Sequence, residues 1–116
     1  MFYLVSASLI ASSIIIAALG NESRKGLKRN WWAGLRTPTT MASDEAFRAA
    51  NQKVWKLYFA MAAVLFIEGI GVAVLEYAKA NNETLATFVL SSTFIVLLIA
   101  RAQYVIGTRA AKSITF

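Results

Sequence analysis

Asn30 to Lys56, NWWAGLRTPTTMASDEAFRAANQKVWK, holds the single proline and all three tryptophans of the chain. With the connector before it, from Arg24 onward, it carries eight of the twelve Lys and Arg residues. On both sides the sequence turns apolar over about twenty residues, the length a helix needs to cross a bilayer. Pro38 removes a backbone donor and pushes Thr37 out of the helical region, so a break is expected at Thr37–Thr40. Ser43 then reads as an N-cap, with Asp44 and Glu45 in the first turn, where the helix dipole favours anions. Ala46, Phe47, Ala50, Val54 and Leu57 recur at helical spacing, while Arg48, Asn51, Gln52, Lys53 and Lys56 mostly take the other side. That pattern predicts an amphipathic helix that lies on the cytoplasmic membrane surface or extends the next span. Trp31 and Trp32 are interface residues, with apolar rings and an indole N–H suited to headgroup level.

Working outward, the first apolar run is FYLVSASLIASSIIIAALG, Phe2 to Gly20, without a charged residue. Arg24, Lys25, Lys28 and Arg29 follow it and none precedes it, the reverse of a secretory signal peptide. A retained span with the amino terminus outside is expected. The second span is Val54 to Tyr77, with Trp55, Lys56 and Tyr58 anchoring its inner end. The third is Leu85 to about Ile106, with Arg101 and Tyr104 near its inner end. The turn between them carries one Lys and one Glu, against three basic residues toward the carboxyl end. The positive-inside rule then places the motif loop, residues 21–53, and the carboxyl terminus in the cytoplasm. Asn82-Glu83-Thr84 matches a glycosylation sequon, but helix capping is the simpler use of these residues.

Composition agrees with this reading. The 116 residues are 58% apolar and 16% charged, against roughly 25% charged in soluble proteins. There is no Cys and no His, which excludes disulfides, haem ligation by imidazole or thiolate, Cys/His zinc sites, and Ser-His-Asp or Cys-His catalysis. Asp44 and Glu45 are adjacent in one helical turn and so do not face each other across a cleft as acid–base carboxylates do. No cofactor is expected, and the net charge of +6, clustered between apolar spans, fits anionic lipid headgroups better than nucleic acid. The expected class is an all-α integral membrane protein: one domain, three transmembrane helices, and an interfacial helix between the first and second.

The spacing Asn30-x-x-x-Gly34-Leu35-Arg36-Thr37-Pro38-x-Thr40-x-x-Ser43, followed by Phe47 and Asn51, resembles the SdpI family of integral-membrane immunity proteins. That family is named after resistance to a secreted sporulation-delaying toxin peptide. Asn30, Gly34, Arg36, Thr37, Thr40, Ser43 and Asn51 stand at matching offsets. Phe47 departs from the family's usual Trp, which keeps the apolar anchor and loses a hydrogen-bond donor. The resemblance implies a non-enzymatic membrane protein that gives immunity to a membrane-active peptide or signals its presence. Founding members are larger and also hold a transcriptional repressor at the membrane. The alternative is a small accessory subunit of a respiratory or transport complex, suggested by the short chain and its small-residue faces.

Two residues invite chemistry. Arg36 offers a planar five-donor fork; with the Thr37 and Thr40 hydroxyls it would bind a headgroup phosphate, or close onto Asp44 or Glu45, or else cap carbonyls at a broken helix end. Glu68 falls near the middle of the second span, where a charged carboxylate costs about 3 kcal/mol on translocon scales. Ser8, Ser91 and Ser92 lie at similar depth and are its expected partners, for packing or for proton transfer. Arg101, about 12 Å away along the axis at about 1.5 Å per residue, is expected to snorkel to the inner surface with Trp55 rather than pair with Glu68. Gly69 and Ala73 form a small-residue face for a neighbouring helix, internal or foreign.

Overall fold

The computed structural model describes residues 2–30 and 34–115; Trp31 and Trp32 lie outside the described residues. It is all-helical: α1 (Phe2–Lys25), a 3-10 turn (Thr40–Ala42), α2 (Asp44–Lys53), α3 (Trp55–Tyr77) and α4 (Asn82–Thr115). Three of these, α1, α3 and α4, are long and apolar enough to cross a membrane.

The helix ends follow local chemistry. α1 runs past its apolar stretch to Lys25 and stops where Gly26 takes φ +104° and donates its N–H to the Ser23 carbonyl at 3.2 Å. Ser43 is extended, and its hydroxyl accepts from Ala46 N at 3.0 Å, which starts α2. Val54, at φ −108° and ψ 15°, separates α2 from α3, so α2 is distinct from the span that follows. α3 closes in a Schellman motif: Lys79 has φ 59°, Lys79 N bonds Glu76 O, and Ala80 N bonds Leu75 O. Asn81, one residue before the sequon, caps α4 through Thr84 N at 2.8 Å.

α1 and α3 pack antiparallel along their length. The Ser6 hydroxyl donates to the Gly69 carbonyl at 2.6 Å, and Gly69 lets Ile10 and the Ser6 backbone close in. At the other end Gly20 lies against Tyr58 and Phe59. The small-residue face of α3 is therefore occupied internally, by α1. α4 packs on α3 through Phe88 over Gly71, and among the described residues α1 and α4 do not pack together. α4 has 34 residues, about 51 Å at 1.5 Å per residue, and so nearly matches the 53 Å long axis of the molecule.

That length matters at the basic end. Beyond the apolar stretch, α4 continues alongside α2. Ala46 and Ala50 pack against Ala111, with Leu35 beside them, and Leu35 lies directly on Gly107. The apolar face of α2, expected to rest in the membrane interface, is instead covered by the chain's own carboxyl-terminal helix: Ala46, Phe47 and Ala50 are wholly buried. Burying that face against protein removes it from water without calling on lipid.

A Cβ on Gly69 would meet Ile10 Cγ1 at 2.7 Å and the Ser6 carbonyl oxygen at 3.2 Å. Gly69→Leu should therefore separate α1 from α3 and lower stability by about 1–3 kcal/mol, read as the midpoint of SDS-induced unfolding in mixed micelles. An unchanged midpoint would contradict this packing.

Candidate functional site

The motif residues fold into one compact unit at the basic end. Gly34 takes φ +92°, and a Cβ there would stand 2.9 Å from Asn51 Oδ1, 2.9 Å from Leu27 Cδ2 and 3.0 Å from Phe47 Cζ. Both backbone and space demand glycine. Asn51, fully buried, is the hub. Its Oδ1 accepts from Leu35 N at 2.7 Å and from the Tyr58 hydroxyl at 2.6 Å, and its Nδ2 donates to the Phe47 carbonyl at 3.0 Å. One side chain thus joins the loop, α2 and α3.

The threonines close the turn around Pro38. Thr40 Oγ1 accepts from Thr37 N at 2.7 Å and donates to the Leu35 carbonyl at 2.8 Å, while Thr40 N donates to Thr37 Oγ1 at 3.1 Å. With Ser43 as N-cap, Phe47 buried against Gly34 and Asn30 bonded at the start of the loop, seven of the eight motif residues do structural work. Asn30 donates to the Lys28 carbonyl at 2.9 Å at the start of the loop. Arg36 differs: it is exposed and makes no ion pair or hydrogen bond among the described residues.

The structure revises several expectations. Arg36 does not close onto Asp44 or Glu45 and caps no carbonyl among the described residues; Arg29 instead pairs with Asp44, its Nε 3.1 Å from Oδ1, and its Nη1 donates to the Met41 carbonyl at 3.0 Å. The Thr37 and Thr40 hydroxyls are engaged within the turn and do not join Arg36 in a phosphate site. Trp55 sits at the junction of α1 and α3 with Arg24 and Lys56 over its ring, at 5.9 and 5.7 Å, and Phe59 edge-on. Arg101 lies over the Tyr104 ring at 5.7 Å.

Glu68 is almost fully buried, at 1% exposure. Its partner is Thr93 of α4, whose hydroxyl donates to Oε2 at 3.3 Å, and Oε1 has no partner among the described residues. The expected cluster does not form. Ser8 donates to the Leu4 carbonyl of its own helix, Ser91 is exposed, and Ser92 makes no bond to the carboxyl. The hydroxyl that does cross between α1 and α3 is Ser6, and it meets the backbone beside Glu68.

Tyr58, Gly107 and Ala111 are not legible in the sequence as partners of the motif. Tyr58 lies seven residues after Asn51, two helical turns on, a spacing that hints at the contact; the residues of α4 carry no such hint. Asn51→Leu leaves Leu35 N–H and the Tyr58 hydroxyl buried without a partner, and should cost about 2–4 kcal/mol. Tyr58→Phe removes one bond while Leu35 keeps its acceptor, and should cost about 1 kcal/mol. Thermal unfolding in detergent separates the two, and equal losses would deny Asn51 its role as hub.

Two comparisons, with curated proteins and with solved structures, each returned no match. The model of the SdpI/YfhL protein family matches residues 26–108. The matched segment begins at the glycine that ends α1, takes in the whole motif unit with α2 and α3, and ends one residue after the glycine on which Leu35 rests. It covers most of the chain, and the protein is an integral membrane member of the SdpI/YfhL family.

Proposed function

We propose that the protein is a non-enzymatic, SdpI-like component of the bacterial cytoplasmic membrane that confers immunity to a membrane-active peptide or relays its presence. The observation that carries this reading is Arg36. A residue of the family pattern, it projects from a unit whose other described polar members are satisfied internally, so its donors are available to something outside the chain. The charge distribution supports an amino terminus outside and a basic end facing the cytoplasm, against anionic headgroups.

A second reading, an accessory subunit of a larger membrane complex, is favoured by α4. Leu90, Phe94, Leu97 and Leu98 are each more than half exposed, and α1 leaves that side of the bundle open. An apolar face of that length is what a neighbouring subunit would cover. Mild extraction followed by mass spectrometry distinguishes the two readings: a stoichiometric set of large subunits supports the accessory role, and a lone chain or small homo-oligomer supports immunity.

For the first reading the decisive variant is Arg36→Ala. It should leave stability within about 0.5 kcal/mol of wild type, as exposed substitutions do, and abolish protection of a sensitive strain challenged with the peptide. Arg36→Lys should protect poorly, because an ammonium lacks the planar fork. Full protection by Arg36→Ala would sink the assignment.

A further inference from the structure

Two grooves share Leu27 in their linings. The first, of about 370 Å³, is lined by Leu27, Lys28, Arg29, Asp44 and Arg48. The second, of about 430 Å³, is lined along α1 by Ile15, Ile16, Ala18, Leu19 and Glu22, and by Leu27 and Gly34. One is basic and the other almost wholly apolar, and they share a side chain. We propose that together they bind one anionic phospholipid of the leaflet at the basic end, its phosphate held by Lys28 and Arg48 and an acyl chain laid along α1.

The charges support this assignment. Asp44 is the carboxylate of the basic groove, and it is paired with Arg29 at 3.1 Å. Lys28 and Arg48 have no ion-pair partner among the described residues, so the groove presents two uncompensated cations. They come from separate parts of the chain, the connector and α2, and the positive φ of Gly26 brings them together: the Arg48 stem lies across that glycine, with Cδ 3.2 Å from where a Cβ would stand. An Arg with its stem packed loses less freedom on binding a phosphate than one free in solvent.

Depth and shape separate a lipid from a free anion. The last apolar residue of α1 is Gly20, and five more residues carry the helix to Lys25, about 7.5 Å at 1.5 Å per residue. The headgroup layer on each side of the hydrocarbon core is roughly 5–8 Å thick, so the basic groove lies at phosphate level. An inorganic phosphate has no use for the apolar groove below it, and a phospholipid fills both. The placement rests on the membrane reading of α1, but binding in detergent does not depend on which leaflet the basic end faces, so orientation and lipid binding fail independently.

The test is lipid binding by the purified full chain in nonionic detergent, followed by native mass spectrometry and thermal midpoint. Dioleoyl phosphatidylglycerol, dioleoyl phosphatidylcholine and inorganic phosphate are titrated separately. Phosphatidylglycerol should bind and raise the midpoint, and phosphatidylcholine should not. Lys28→Gln and Arg48→Gln, each read alone so that misfolding of one leaves the other, should weaken phosphatidylglycerol at least about tenfold, the loss of about 1.4 kcal/mol. Lys53→Gln and Lys112→Gln remove the same charge outside the groove and should change binding by less than about twofold, as for screened surface charges. Equal weakening by all four variants would reduce the site to diffuse surface charge and overturn the proposal. Inorganic phosphate binding as tightly as phosphatidylglycerol would also overturn it, in favour of a soluble ligand.

Discussion

The amide of Asn51 is the constraint on which the basic half of the molecule depends. A loop that leaves α1, turns through glycine twice and breaks at proline has little regular hydrogen bonding of its own. Asn51 supplies it from a helix: an acceptor for the loop at Leu35, a donor within α2 at Phe47, and an acceptor for the Tyr58 hydroxyl of α3. Because those three bonds converge on one buried group, the angle between α2 and α3 and the path of the loop are set together. The break at Val54 is tolerable for the same reason, since the side chains on either side of it are tied to each other.

From that junction the two ends of the protein acquire different physics. Within the apolar region the contacts are close backbone approaches at Gly20, Gly69 and Gly71, as expected where lipid gives helices no hydrophobic reason to associate and packing must do so. At the basic end the apolar face of α2 is buried in the ordinary way, against Ala111 and Leu35. α4 belongs to both regions, and the family match extends along it to Thr108.

Much of this was readable from residues. Long apolar runs, the N-cap at Ser43 and the break at Pro38 all express local rules, and each appears where those rules put it. What was not readable was direction around an axis. Depth counting placed Ser91 and Ser92 level with Glu68, but one further residue turns a side chain by about 100°, and it is Thr93 that faces the carboxyl. Arg36 stands nearer in sequence to Asp44 than Arg29 does, but the chain reversals at Gly26 and Gly34 bring Arg29 back to it. The third apolar span ends at about Ile106, but the helix continues to Thr115, with Gly107 as the flat spot that receives Leu35.

The continuity of α4 makes it a lever. Thr93, its contact with Glu68, and Ala111, its contact with α2, are eighteen residues apart, roughly 27 Å at 1.5 Å per residue. With the fulcrum at Thr93, a tilt of about 5° carries the far end through roughly 2 Å. Close-packed surfaces do not stretch over such a distance; they part or re-seat. A tilt of that size would part or re-seat the contact of Leu35 with Gly107, next to the loop that presents Arg36.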